Sequence, residues 1–137
     1  MKELDSDKPD VATGIMGCAR FTVIDAVCVR MEYSVEHRFT DEPTLFAFNR
    51  LARCKDTRIS RSEGGMLIET DRLRIDYRDD GKPFHSGNLS VSIFEDGREI
   101  RWIPGMKNEQ NLGGPLPTLD GLGDEVPLPD GLLSRDG

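Results

Sequence analysis

Across residues 20–103 the apolar side chains fall on alternate positions, and no stretch of twelve or more keeps a 3.6-residue apolar period. Such a chain cannot build its core from amphipathic helices. It needs half-buried strands, whose side chains point alternately to the interior and to water. Phe21 and Val23 alternate in RFTVI. After Asp25-Ala26, residues Val27, Val29, Met31 and Tyr33 share one parity, with Cys28, Arg30, Glu32 and Ser34 on the other. TLFAFNR (44–50) is strand-like, with Phe46 and Phe48 on one face. TRISRS, then Glu63-Gly64-Gly65, then MLIET predicts a hairpin, the glycine pair supplying positive φ. Leu73, Ile75 and Tyr77 alternate with Arg72, Arg74, Asp76 and Arg78 up to a stop at Asp79-Asp80-Gly81. LSVSIF points Leu89, Val91 and Ile93 inward, Asp96-Gly97 turns the chain, and REIRWI closes a second hairpin with Ile100 and Trp102 on one face. About eight short strands with turn signals every roughly 8–12 residues predict an all-β fold, an antiparallel sandwich or barrel.

The period ends near Ile103, and a different kind of sequence begins. Residues 111–137 read NLGGPLPTLDGLGDEVPLPDGLLSRDG, with Leu at 112, 116, 119, 122, 128, 132 and 133 broken every few residues by Pro or Gly. Proline removes an amide donor and glycine costs the most entropy to order, so no helix or central strand runs through it. A solvated linker has no need of so much leucine, and a structureless stretch of this length is uncommon in a compact domain. The expectation is an ordered, Leu/Pro/Gly-rich loop segment over 104–137 whose leucines are anchored against a partner surface. Residues 1–17, polar and glycine-containing, are expected to form a loose N-terminal arm, and 18–103 the sandwich body.

The 137 residues suffice for one domain with a working core. The net charge of −7 is concentrated at the end: Lys107 and Arg135 stand against Glu109, Asp120, Asp124, Glu125, Asp130 and Asp136, a local −4. An acidic chain without a basic run is a poor partner for nucleic acid or an anionic membrane, so neither is expected. No apolar stretch approaches the length of a bilayer span, and the acidic N-terminus lacks the apolar core of a secretory signal. Cys18, Cys28 and Cys54 are odd in number and lack CxxC spacing, which fits reduced thiols in the cytoplasm rather than a disulfide framework or zinc site.

Catalytic constellations are sparse. His37 and His85 have no Glu or His at metal-ligand spacing, and a Cys–His nucleophile pair could arise only by tertiary accident. Asp79-Asp80 and Asp124-Glu125 sit in turn sequences, where carboxylates cap backbone amides. Asp5, Asp7 and Asp10 lack the glycine and terminal glutamate of a calcium loop. Gly113-Gly114 is not followed by the Lys-Ser/Thr of a phosphate loop. The arginines at 58, 61, 72, 74, 78, 98 and 101 alternate with acids, as cross-strand ion pairing on a solvent face would require. Asn88-Leu89-Ser90 matches a glycosylation sequon. No cofactor or metal is expected. Trp102, Tyr77 and Phe84 are the aromatic residues on which a carbohydrate-binding module would stack a sugar.

Four strings taken in order carry a resemblance: RFTVIDAVCVRMEYS, DEPTLFAFNR, GNLSVSIF and NLGGPLPTLDG…VPLPDGLLSRDG. Together they resemble the N-terminal region of family 31 glycoside hydrolases, the α-glucosidases and relatives including α-xylosidases, over roughly residues 13–137. The last string is the specific one, through Asn111-Leu112-Gly113-Gly114, Thr118-Leu119-Asp120-Gly121 and residues 131–137. It departs from the commonest form at Pro115 and Pro117, where a Thr and an Arg are usual. The resemblance implies a galactose-mutarotase-like antiparallel β-sandwich packed on a (β/α)₈ barrel, with two barrel Asp residues serving a retaining mechanism. Both would lie downstream of residue 137. The expectation is therefore a non-catalytic fragment, inactive alone, whose partner is its own catalytic barrel and whose intact enzyme acts on α-glucosides or α-xylosides. In that family an Arg-Asp near the end of this loop contacts sugar hydroxyls, which makes Arg135 and Asp136 the candidate substrate-binding residues. A stand-alone carbohydrate-binding or β-sandwich interaction module is the alternative.

Overall fold

The computed structural model describes residues 12–45, 56–115 and 127–135. The chain divides into two compact units, Met1–Gly105 and Met106–Gly137. Among the described residues the first contains eight strands: β1 (Thr13–Met16), β2 (Ala19–Asp25), β3 (Cys28–Tyr33), β4 (Arg58–Ser62), β5 (Gly65–Glu69), β6 (Leu73–Arg78), β7 (Leu89–Glu95) and β8 (Arg98–Trp102). No helix occurs among the described residues. The strands form two antiparallel meanders, β1-β2-β3 and β4-β5-β6-β7-β8. The second phenylalanine-rich stretch, 44–50, lies mostly outside the described residues.

Turn chemistry accounts for the meander. Asp96 and Gly97 both take positive φ (49° and 73°), the conformation a two-residue hairpin loop needs to match strand twist. Gly64 (φ 69°) does the same work between β4 and β5. In the five-stranded sheet Ile59, Ile68, Ile75, Val91 and Trp102 fall in one cross-strand row, and Met66, Tyr77 and Leu89 in the next. These rows face the three-stranded sheet. Phe21 (0% exposed) bridges the two layers, its ring 5.2 Å from Tyr77 and 5.5 Å from Phe84. Thr70 Oγ1 ties the same layers at one end by donating to Ala26 O at 2.6 Å. The fold is thus an all-β, sandwich-like body with one core.

Three features depart from the alternation. β1 pairs with β2 from Thr13 to Met16, so the N-terminal arm expected over 1–17 gives its last residues to the sheet. Gly14 hides this strand from a period-two reading, and its missing side chain makes room for Met66, whose Sδ lies 2.7 Å from where a Cβ would stand. β2 is buried on both faces, including Arg20 and Thr22, because residues 39–41 cover the outer side. Arg20 stacks on the Phe39 ring (4.6 Å) and donates to both oxygens of Asp41 (2.6 and 3.0 Å) and to Glu32 (2.8 Å). Ile100 and Trp102 face the core side yet remain 47% and 42% exposed. Three strands spaced about 4.8 Å apart are roughly 10 Å too narrow to cover five.

The Met106–Gly137 unit is pinned to itself. Within the segment read as an extended loop over 104–137, Asn111 bridges Ser134 in antiparallel fashion. Leu112 N donates to Leu133 O and Arg135 N to Gln110 O, each at 3.0 Å. The Asn111 side chain accepts from Gly113 N and Gly131 N (2.8 Å each) and donates to Gly131 O (3.0 Å). Any side chain at Gly131 would run into the carbonyl of Gly113, which explains the glycine on both arms. Asn111→Ala removes these three side-chain bonds and should loosen this unit by roughly 1–3 kcal/mol. Faster amide exchange at Leu112 and Gly131, with the strand amides unchanged, would register it.

Candidate functional site

The nominated residues are scattered. Arg135 lies in the turn after the Asn111–Ser134 bridge, exposed, and makes no ion pair among the described residues. Asp136 lies outside the described residues, as do Asp5, Asp7, Asp10, Asp124, Glu125 and Cys54. Tyr77 and Phe84 turn their rings into the core against Phe21, so neither can serve as a sugar platform. Trp102 is the half-exposed residue of the three. Cys18 and Cys28 are free thiols, and no cluster of metal-ligating side chains forms among the described residues. No helix of the described residues is long and apolar enough to cross a membrane.

The first polar constellation is the corner between β6 and β7. Asn88, 3% exposed, is its hub. Its Oδ1 accepts from His85 N (2.8 Å), and its Nδ2 donates to Asp80 Oδ1 (3.0 Å), Pro83 O (3.1 Å) and Lys82 O (3.4 Å). His85 Nδ1 accepts from Gly87 N at 3.1 Å, which leaves Nε2 to donate to Asp80 Oδ2 at 2.8 Å. Both ring nitrogens are engaged, so His85 braces the turn. The sequon asparagine is likewise committed, its amide nitrogen shared among three acceptors, and cannot carry a glycan in the folded chain.

Bonds from Asn88 first, then His85, hold the Asp80 carboxyl at about 2. A depressed acid stabilises the fold above its unfolded value, near 4, and loses that contribution as pH falls toward 2. Asp80→Asn should therefore lower the melting temperature at pH 7 and narrow its gap to wild type between about pH 4 and 2. Thermal unfolding across pH checks this. Beside the corner, the buried Tyr77 hydroxyl has no hydrogen-bond partner among the described residues, and burial reinforced by Asp79 pushes it up to about 12. A pKa raised in this way favours the folded state below about pH 10 and withdraws that support as pH climbs to 12.

The second constellation is a groove of about 490 Å³ on the outer face of the five-stranded sheet. Its walls come from four strands: Ser60 and Ser62 of β4, Gly65 and Leu67 of β5, Asp76 and Arg78 of β6, and Ser90 of β7, with Arg101 of β8 at one end. Register creates it. Ser60, Leu67, Asp76 and Ser90 lie side by side in one row, and Ser62, Gly65 and Arg78 in the adjacent one. A row of serines and a glycine is lower than its neighbours, so the sheet is dished there. The cross-strand ion pairing expected of the arginines joins Arg72 with Glu95 (2.7 Å), whereas Arg74 pairs within its own strand, with Asp76 (3.0 Å). It does not extend to Arg78 or Arg101, which have no acidic partner among the described residues. Sequence periodicity could identify this face as solvent-exposed, but the adjacency of small residues from three strands emerges only from the register.

No protein-family model matches the chain, and no curated protein matches it. What the fold and geometry define is an all-β body of two antiparallel sheets, followed by a second, self-pinned unit.

Proposed function

We propose that the chain is the non-catalytic N-terminal β-sandwich, of the galactose-mutarotase-like kind, of a cytoplasmic α-glucosidase-type family 31 glycoside hydrolase. Its Met106–Gly137 unit docks on the catalytic barrel and carries Arg135-Asp136 toward the α-glucoside or α-xyloside. One observation carries this reading. The paired arms of that unit hold leucines out to solvent, Leu112 at 50%, Leu128 at 53%, Leu133 at 70% and Leu132 fully exposed. Each buried leucine contributes about 1.5–3 kcal/mol, so a backbone pinned to display them fits a surface built to be covered. The order of an all-β body followed by this unit also accords with the resemblance of residues 111–137 to the family's loop.

The reading requires that the 137-residue chain alone neither cleaves nor tightly binds a neutral α-glucoside. Purified chain should release no p-nitrophenol from p-nitrophenyl α-glucoside, and calorimetric titration with maltose, isomaltose or xylosides should give no sub-millimolar binding. Turnover by the pure chain would overturn it. Sub-millimolar affinity would favour the stand-alone carbohydrate-binding module instead.

A further inference from the structure

We infer that the groove on the outer face of the five-stranded sheet is a binding site for a small acidic sugar, a single ring bearing one carboxylate or phosphoryl group. This site is separate from Arg135-Asp136 and goes beyond the proposed docking role. Its volume, about 490 Å³, falls in the usual range for small-molecule sites.

Charge comes first. Asp76, the groove's acid, is held by Arg74 through two hydrogen bonds (3.0 and 3.4 Å), so its charge is already answered. Arg61, Arg78 and Arg101 also line the groove and have no acidic partner among the described residues. Three unmatched guanidinium groups beside one satisfied carboxylate make a local positive site on a chain of net charge −7. A long polyanion would meet the rest of that acidic surface and be repelled; a ligand with one or two charges would not. A guanidinium fork meets a carboxylate or phosphoryl group with two parallel bonds.

The walls decide the rest of the ligand. Ser60, Ser62 and Ser90 each offer one donor and two lone pairs, which suits a polyol. No aromatic face is presented to the groove, because Tyr77 packs its ring against Phe21 and Phe84 on the opposite side of the sheet. Without an aromatic ring turned toward it among the described residues, the groove lacks the platform on which a neutral sugar usually stacks. The low floor at Gly65 depends on the absent side chain: a Cβ there would lie 2.8 Å from Ser62 Oγ. Arg78 sits beside Asn88 and Arg101 opposite Ser92, so their backbones stand two strands and four residues apart, about 17 Å.

The test is calorimetric titration of the full 137-residue chain with D-glucuronate, glucose 6-phosphate, D-glucose and inorganic phosphate at low salt. At least one of the two acidic sugars should bind ten times more tightly than both glucose and inorganic phosphate. The Arg78→Gln, Arg101→Gln double variant should lose that binding at least tenfold. Both residues are exposed, and an unchanged melting curve would establish that the variant is folded. Glucuronate against glucose 6-phosphate tells which anionic group the site takes. Inorganic phosphate binding as tightly as the sugar phosphate, glucose binding as tightly as glucuronate, no binding of either acid, or full retention in the double variant would each overturn the inference. Failure here would leave the docking reading intact, because neither arginine belongs to the Met106–Gly137 unit.

Discussion

Phe21→Ala should destabilise the Met1–Gly105 unit by about 3–5 kcal/mol, the usual cost of emptying a fully buried aromatic site. Phe21 is 0% exposed and contacts rings of both the facing sheet and the β6–β7 corner. Its removal loses apolar burial, opens a cavity between the two sheets and takes away the tilted partner of Tyr77. For a domain whose whole stability is about 5–15 kcal/mol, that is a large share. Urea denaturation should show the midpoint falling sharply, with a melting temperature lower by roughly 15–25 °C. Phe21→Leu, which keeps most of the volume, should cost less than half as much. Equal, small losses in both variants would mean that Phe21 does not join the layers as described.

Asn88→Ala should be the next most damaging, at about 2–4 kcal/mol. The substitution orphans the His85 amide and withdraws donors from Asp80, Lys82 and Pro83 in a site that water reaches poorly. Asn88→Asp separates the contributions. The carboxylate still accepts from His85 N, but it places a second negative charge about 3 Å from Asp80 Oδ1. That variant should be at least as unstable as Asn88→Ala at pH 7 and should recover on acidification to about pH 4, whereas the alanine variant should not. Guanidinium unfolding at the two pH values gives the comparison.

Much of the fold was legible in the sequence. Leu73, Ile75 and Tyr77 alternate with charged residues along a single strand, and the structure buries the first set and exposes Arg74, Asp76 and Arg78. Asp96-Gly97 announced its hairpin because the turn demands positive φ at both positions. β1 escaped notice because Gly14 leaves no side chain for the pattern to register. The burial of Arg20 was also illegible: its cover, Phe39 and Asp41, arrives from a loop some twenty residues away. Asn88 looked like a sequon, since its partners are set by how residues 80–88 close on themselves. The leucines of the last segment could be read as needing a partner. The self-pairing through Asn111 and Gly131 could not, because it depends on two backbones meeting where only glycine fits.

The central claim, that this is a supporting domain whose leucine-bearing unit docks on an α-glycosidase barrel, meets its most direct test in the coding sequence. Sequencing the full-length transcript through the codon for Gly137 should show the reading frame continuing into a (β/α)₈ barrel with two carboxylates placed for a retaining mechanism, about 5–5.5 Å apart once folded. A stop codon directly after Gly137, or a continuation with no such barrel, would contradict the account.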